Sequence, residues 1–388
     1  MPSPDLLVDL LESNHFSDSD LEQLRVMHGA GSETSLNFKD IVAFNAFGDE
    51  FEDLAMAEVS GLEARSFVGL WPGFTFLNHS CVPNCIHYTS NGIIRVRAAR
   101  PISAGEELTI SYLGREDFSP LSERGKIIQE RYKFQCNCFR CRMESALPPL
   151  VRGRLNDIHL GVHYHLSPGF NEMVANPKPE SLKRVTDQVV KHHDLIQSLL
   201  DSPHLNESFE EALEKDQALR AGSSPVASFH STATLSSSIP ETSVNLTPQL
   251  IARAATYELL EMQFLLKELQ GEDSREPLLA CLEVNDKVGP GSELQVFQSC
   301  RLLRDSLKAQ RSREVEGRGS SGSGSDRNDD GSNSNGSGNG RPGMEKESNV
   351  MEDAEALRKA ILARYGALSS SHLANFTKIV SRLSTSFV

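Results

Sequence analysis

Asn78-His79-Ser80-Cys81-Val82-Pro83-Asn84-Cys85 has to be read together with Cys136-Asn137-Cys138-Phe139-Arg140-Cys141. The second stretch holds three thiols in six residues, which cannot all pair as disulfides with each other. One distant thiol completes a four-sulfur tetrahedral zinc site. The chain must therefore fold back so that the first stretch meets the second, and on spacing alone both Cys81 and Cys85 are eligible as the fourth ligand. Between them lie a β-branched run from Gly92 to Ala98, a turn at Ser103-Ala104-Gly105, and a second strand candidate, Glu107 to Tyr112.

Composition points to an intracellular protein of the nucleus or cytoplasm. Seven cysteines in 388 residues is a low density. The first residues lack a basic-then-apolar leader, and no apolar run approaches the roughly twenty residues that span a bilayer, so no membrane is expected. Reduced thiols favour zinc over disulfides. Cys281 and Cys300, in helical patterns, read as small buried apolar residues. A net charge of −14 argues against direct nucleic-acid binding. Residues 1–65 hold fourteen Asp/Glu against three Lys/Arg, and residues 66–145 hold ten Lys/Arg against seven Asp/Glu. An acidic flank of this kind attracts basic protein tails; an ordinary solvated acidic face reads equally well.

The ordered motifs resemble those of the SET-and-MYND lysine methyltransferase family over about residues 36 to 145. They are Asn45-Ala46-Phe47, Gly69-Leu70-Trp71-Pro72, Asn78 to Asn84, Gly105 to Tyr112, and Tyr132 to Cys141. The resemblance implies an S-adenosylmethionine-dependent protein-lysine methyltransferase with a structural zinc ion, acting on a lysine of a histone tail or another protein. It also implies that Cys81, with Cys136, Cys138 and Cys141, supplies the metal ligands, that Tyr112 lies beside the transferred methyl, and that Tyr132 and Phe134 help line the lysine channel and cofactor pocket. Asn45, Asn78 and His79 are implied to bind the cofactor. The chemistry suits these residue types. In-line methyl transfer from a sulfonium needs alignment and polar oxygens more than strong acids. A narrow, dry aromatic channel favours the neutral amine, whose reference pKa is about 10.4.

The fold class expected is α+β: a partial SET β-fold over 36–113, a zinc-binding segment over 114–145, and an all-α remainder. Residues 1–35 read as an acidic, partly helical segment. They contain neither the strand pair with a Gly-x-Gly turn nor the zinc-binding MYND module of the resembled family, and Gly29-Ala30-Gly31 reads as a loop. The expectation is that the chain begins inside a longer protein or is a divergent relative, which keeps a second function open: a non-catalytic, SET-derived interaction module. Helices are expected at 181–200, at 247–271 behind the Thr247-Pro248 cap, and at 275–287, 292–310, 351–365 and 370–385. The helical region 146–316 is interrupted by a Ser/Thr-rich linker near 221–246, and a Gly/Ser/Asn linker at 317–347 precedes the helices of 348–388. His159, His163 and His165, with no thiol or carboxylate motif to complete them, are not read as a metal site.

Overall fold

Strand-forming residues are confined to a short part of the chain, and helices occupy the rest. The computed structural model describes residues 3–32, 35–49, 52–201, 203–221, 246–319, 344–368 and 370–383. Its strands are β1 Gly31–Ser32, β2 Ser35–Leu36, β3 Phe47–Asp49, β4 Phe67–Gly69, β5 Asn78–His79, β6 Cys85–Ser90, β7 Ile93–Ala98 and β8 Thr109–Ile110. They pair as β1 with β2, β3 with β4, and β6 with β7, all antiparallel, while β5 runs parallel to β8.

The longest ladder is the β6–β7 hairpin, registered Cys85↔Ala98 through Ser90↔Ile93. Its turn is Asn91-Gly92, both with positive φ (52° and 69°). This is the mirror-image turn that matches strand twist and calls for Asn-Gly. The strand expected over Glu107–Tyr112 forms only at Thr109–Ile110. The reason is a side chain: Asn84, 1% exposed, donates to the carbonyl of Glu107 (2.7 Å) and accepts from the amide of Thr109 (2.8 Å). Its amide group takes the place of a strand neighbour there. Gly31 opens the small β1–β2 pair, so Gly29-Ala30-Gly31 leads into a hairpin rather than a free loop. Gly29 sits at φ +81°, and a Cβ there would meet Asp40 at 2.9 Å.

The helices follow the expected pattern with two differences. The segment 247–271 is two helices, Pro248–Ala255 and Tyr257–Gln270, because Thr256 leaves helical geometry (φ −125°, ψ 28°). Helices Glu293–Gly319 and Met344–Tyr365 extend beyond the expected 292–310 and 351–365. Most of the stretches read as linkers, 221–246 and 317–347, lies outside the described residues.

One large core runs from Cys81, Val82 and Ile128 through Met143, Leu155 and Met173 to Leu259 and Cys281. A second core joins the ends of the chain: Ala55 and Tyr88 pack with Val296, Leu357, Ile361, Tyr365 and Phe376. The helix Ser370–Leu383 lies on Leu54–Val59. The strand-bearing part is thus held between helices from the middle and from the C-terminal end. No described helix is long and apolar enough to cross a membrane.

Candidate active site and metal centre

The fold brings Cys81 onto the Cys136-x-Cys138-x-x-Cys141 segment. The four sulfurs lie within 4.8 Å of one another, with Cys81 at 3.6 Å from Cys141 and 4.0 Å from Cys136. A tetrahedron of thiolates about 2.3 Å from a zinc ion has edges of about 3.8 Å, so the donor set fits that metal. Cys85 takes no part. As the first residue of β6 it faces Phe74 and Ile110 in a separate apolar cluster.

The charges around the thiols are arranged for a metal. Hydrogen bonds from Cys136, Cys138 and Cys141 hold Cys81 well below its ordinary value, while Cys141 is raised, first by its contact with Cys136. Four thiols this close cannot all ionise without a cation between them. Arg124, fully buried, donates to Cys141 Sγ at 3.7 Å and pairs with Glu144 at 3.1 Å. Arg140, also fully buried, pairs with Glu144 at 2.7 Å and donates to the carbonyl of Asp117 at 2.5 Å. The two guanidiniums and one carboxylate leave a positive charge beside sulfurs that must be anionic to bind metal.

His79 links the thiols to the neighbouring aromatic group. Its Nδ1 accepts from the amide of Tyr112 at 3.1 Å, so the ring proton sits on Nε2 and points at Cys81 Sγ, 3.2 Å away. Both nitrogens are therefore engaged within the protein, and only the backbone of His79 is left for a cofactor. Asp117, His79 and Cys81 form a second metal-capable group, but it shares Cys81 with the four-thiol set. Burial, then Cys81, pushes the Asp117 carboxyl up to about 7. His159, His163 and His165 belong to no such group among the described residues.

Tyr112, Tyr132, Phe134 and His79 form one aromatic cluster. Ring centroids are 4.9 Å apart for Tyr112–Tyr132, 6.5 Å for Tyr112–Phe134 and 5.3 Å for His79–Tyr112. The Tyr112 hydroxyl donates to the carbonyl of Leu77 at 2.6 Å, and the Tyr132 hydroxyl donates to the carbonyl of Tyr112 at 3.3 Å. Burial, with Tyr132 and Glu107 nearby, pushes Tyr112 up to about 12, so its hydroxyl stays protonated.

Asn45, Tyr112 and Tyr132 line a cleft of about 960 Å³ between the strand-bearing part and the helices, whereas Asn78, His79 and Phe134 are not among its lining residues. Asn45 Nδ2 donates to the carbonyls of His28 and Ile41, each at 2.8 Å, which leaves its Oδ1 for a ligand. Asn78 donates to Glu107 at 2.6 Å. Sequence reasoning missed Asn84, Arg124 and the helical wall of the cleft, where Glu258, Glu261 and Glu293 stand. Arg140 had a signal, since it lies between Cys138 and Cys141 in the sequence. The wall had none, because it is assembled from distant helices.

These features define a class that comparison with known proteins supports. Residues 14–113 match the SET domain family, so the match begins upstream of the residue 36 inferred from motifs. The chain is 41% identical over 86 residues to the histone-lysine N-methyltransferase SMYD3 of Homo sapiens, a stretch covering 22% of this chain and 20% of that protein. It is 36% identical over 138 residues to human SMYD1, covering 32% and 23%, and 39% identical over 74 residues to ASHR1 of Arabidopsis thaliana, covering 19% and 15%. The chain carries a SET domain homologous to those of the SMYD histone-lysine methyltransferases. The aligned stretch spans about a fifth of the length of these relatives.

Proposed function

We propose that the chain is an S-adenosylmethionine-dependent protein-lysine N-methyltransferase stabilised by one zinc ion on Cys81, Cys136, Cys138 and Cys141. The observation that carries this reading is the placement of Tyr112 and Tyr132 on the wall of a large cleft, next to the thiol cluster, with Tyr112 at the end of the segment that matches the SET domain. When bound, the donor supplies an electrophilic methyl group on a sulfonium.

The residues divide the remaining work. Asn45 would offer Oδ1 to the donor, Asn78 and the backbone of His79 would border it, and Phe134 stands edge-on to the Tyr112 ring. Tyr112 and Tyr132 wall the route taken by the lysine side chain, and their low-dielectric surroundings favour the neutral amine that must attack. The Leu77 carbonyl fixes the Tyr112 hydroxyl, so its dipole is already oriented before substrate arrives. The substrate is a protein lysine, in a histone tail or another basic protein, met in the nucleus or cytoplasm.

The test is calorimetric titration with S-adenosylhomocysteine, followed by transfer of labelled methyl groups to core histones. Binding at micromolar concentration and label on lysine are expected. A folded, zinc-loaded protein that binds no S-adenosylhomocysteine would establish the other reading, a SET-derived interaction module.

A further inference from the structure

Two buried polar atoms on the cleft wall have no hydrogen-bond partner: Glu293 Oε1 and His87 Nδ1. Glu293 opens the helix Glu293–Gly319, yet it does not cap it. Ser292 does that, accepting the amide of Gln295 at 3.1 Å. The nearest cation is already committed. Arg364 donates to Asp53 at 2.7 Å and 2.8 Å and reaches the carbonyl of Gly291 at 3.4 Å.

A carboxylate oxygen buried without a hydrogen-bond partner costs stability unless a donor meets it. Burial raises Glu293 to about 7, with Arg364 opposing and Asp53 and Asp49 adding to the effect. His87 is held neutral, first by burial and then by Arg364, at about 4. Its Nδ1 therefore offers a lone pair or a proton but no charge. The aromatic rings of Phe47 and Phe74 stand at 4.8 Å and 4.9 Å from the His87 ring, and both line the same cleft. A carboxylate oxygen without a donor, a neutral imidazole nitrogen and aromatic faces together suit one chemistry. A planar cation with several N–H donors satisfies all three.

We propose that Glu293 and His87 form a second subsite of this cleft, taking a basic side chain, arginine by preference, that lies near the target lysine in the substrate chain. The inference rests on the methyltransferase reading of the Tyr112 end of the cleft, and it narrows the substrate from any protein lysine to one with a basic neighbour. Glu293 receives the guanidinium, His87 Nδ1 accepts one further N–H, and the aromatic rings cover its face.

The experiment uses the full chain and fluorescence anisotropy. The probes are a labelled peptide with one lysine in a neutral Gly/Ser/Ala background, and a series in which one arginine is added at each flanking position in turn. At one or two positions arginine should tighten binding about tenfold or more, about 1.4 kcal/mol. Glu293→Gln, nearly isosteric, should bring the two kinds of peptide to the same affinity, and His87→Leu should reduce the preference in part. Thermal melts of both variants show whether the fold is kept. Equal affinity for all peptides in the wild-type protein overturns the proposal, and so does a Glu293→Gln variant that keeps the arginine preference or loses affinity for S-adenosylhomocysteine instead. If the preference is present but no donor binds, the subsite stands and the methyltransferase reading falls. If lysine is methylated without any preference, the reverse holds.

Discussion

At the scale of single residues, Tyr112 and His79 make separable predictions. Tyr112→Phe keeps the ring against Tyr132 and Phe134 and deletes only the hydroxyl that donates to Leu77. Turnover on a histone substrate should fall by about a hundredfold or more, the usual effect of removing one preorganised polar group, with the melting temperature little changed. Steady-state rates beside a thermal melt check it; near-normal turnover in this variant would remove Tyr112 from the chemistry. His79→Ala removes the ring that bridges the Tyr112 amide and Cys81 Sγ. The resemblance assigned His79 to the donor, but its ring faces the thiols, so weaker metal retention against a chelator is the expected result. His87 makes a third prediction, concerning pH. Its folded value of about 4 lies below the ordinary 6.5, so on acidification the unfolded chain takes up a proton that the folded chain refuses. Its contribution therefore holds above pH 6.5 and is lost as pH falls towards 4, by about 3 kcal/mol. Chemical denaturation of wild type and His87→Phe across that window should show the variant losing less stability with falling pH. Which thiols gather was legible only with the resemblance in hand. Spacing left Cys81 and Cys85 equal, and the structure separates them because β6 carries Cys85 towards Phe74 and Ile110.

At the scale of elements, the strand β7 and the helices from 181 onward were readable, whereas its hairpin partner β6 and the parallel pairing of β5 with β8 were not. β7 carries the β-branched Ile93, Ile94 and Val96 directly after Asn91-Gly92, a local signal with a local cause. The helices expected from residue 181 onward repeat apolar positions at helical spacing, while the break at Thr256, the helix Pro203–Ala221 and the extended ends of Glu293–Gly319 and Met344–Tyr365 escape that pattern. β8 shortens to two residues because Asn84, from a segment far away in sequence, occupies the backbone groups of Glu107 and Thr109. No pattern within residues 107–112 announces that contact. The thiol cluster joins three such elements: the turn after β5, the stretch after the helix Leu121–Tyr132, and the helix Phe139–Ala146. Structural zinc sites couple metal binding to folding. Cys138→Ser should therefore lose both zinc, measured by elemental analysis at about one equivalent in the wild type, and cooperative unfolding. Cys85→Ser should retain its metal. A fully folded protein without metal would contradict the assignment, and loss of metal from Cys85→Ser would move the fourth ligand.

At the scale of the whole molecule, Asp53 is the point where the two ends of the chain meet. It accepts the amide of Met56 at 2.8 Å to cap the helix Leu54–Val59, and it receives Arg364 at 2.7 Å and the hydroxyl of Tyr365 at 3.0 Å. Its own amide donates to Thr89 of β6 at 2.9 Å. The Arg364 guanidinium also lies over Tyr88, 5.7 Å from the ring centre. The helix Met344–Tyr365 thereby brings Arg364 to the cleft that Tyr112 also lines, a relation invisible in the sequence because Arg364 and Asp53 stand 311 positions apart. Desolvated ion pairs behave asymmetrically: removing one partner leaves the other buried and uncompensated, at about 3–5 kcal/mol, whereas replacing both is far less costly. Asp53→Asn retains an oxygen for the helix cap and removes the charge, so the loss it produces belongs to the pair and not to the cap. Arg364→Met keeps length and packing on Tyr88. Each single variant should lose about 3 kcal/mol or more in urea denaturation, and the double variant should lose clearly less than the sum, with a coupling energy of about 1–3 kcal/mol. Strictly additive losses would show that the helix Met344–Tyr365 is held by the apolar contacts of Leu357, Ile361 and Tyr365 alone, with the ion pair contributing nothing to its placement.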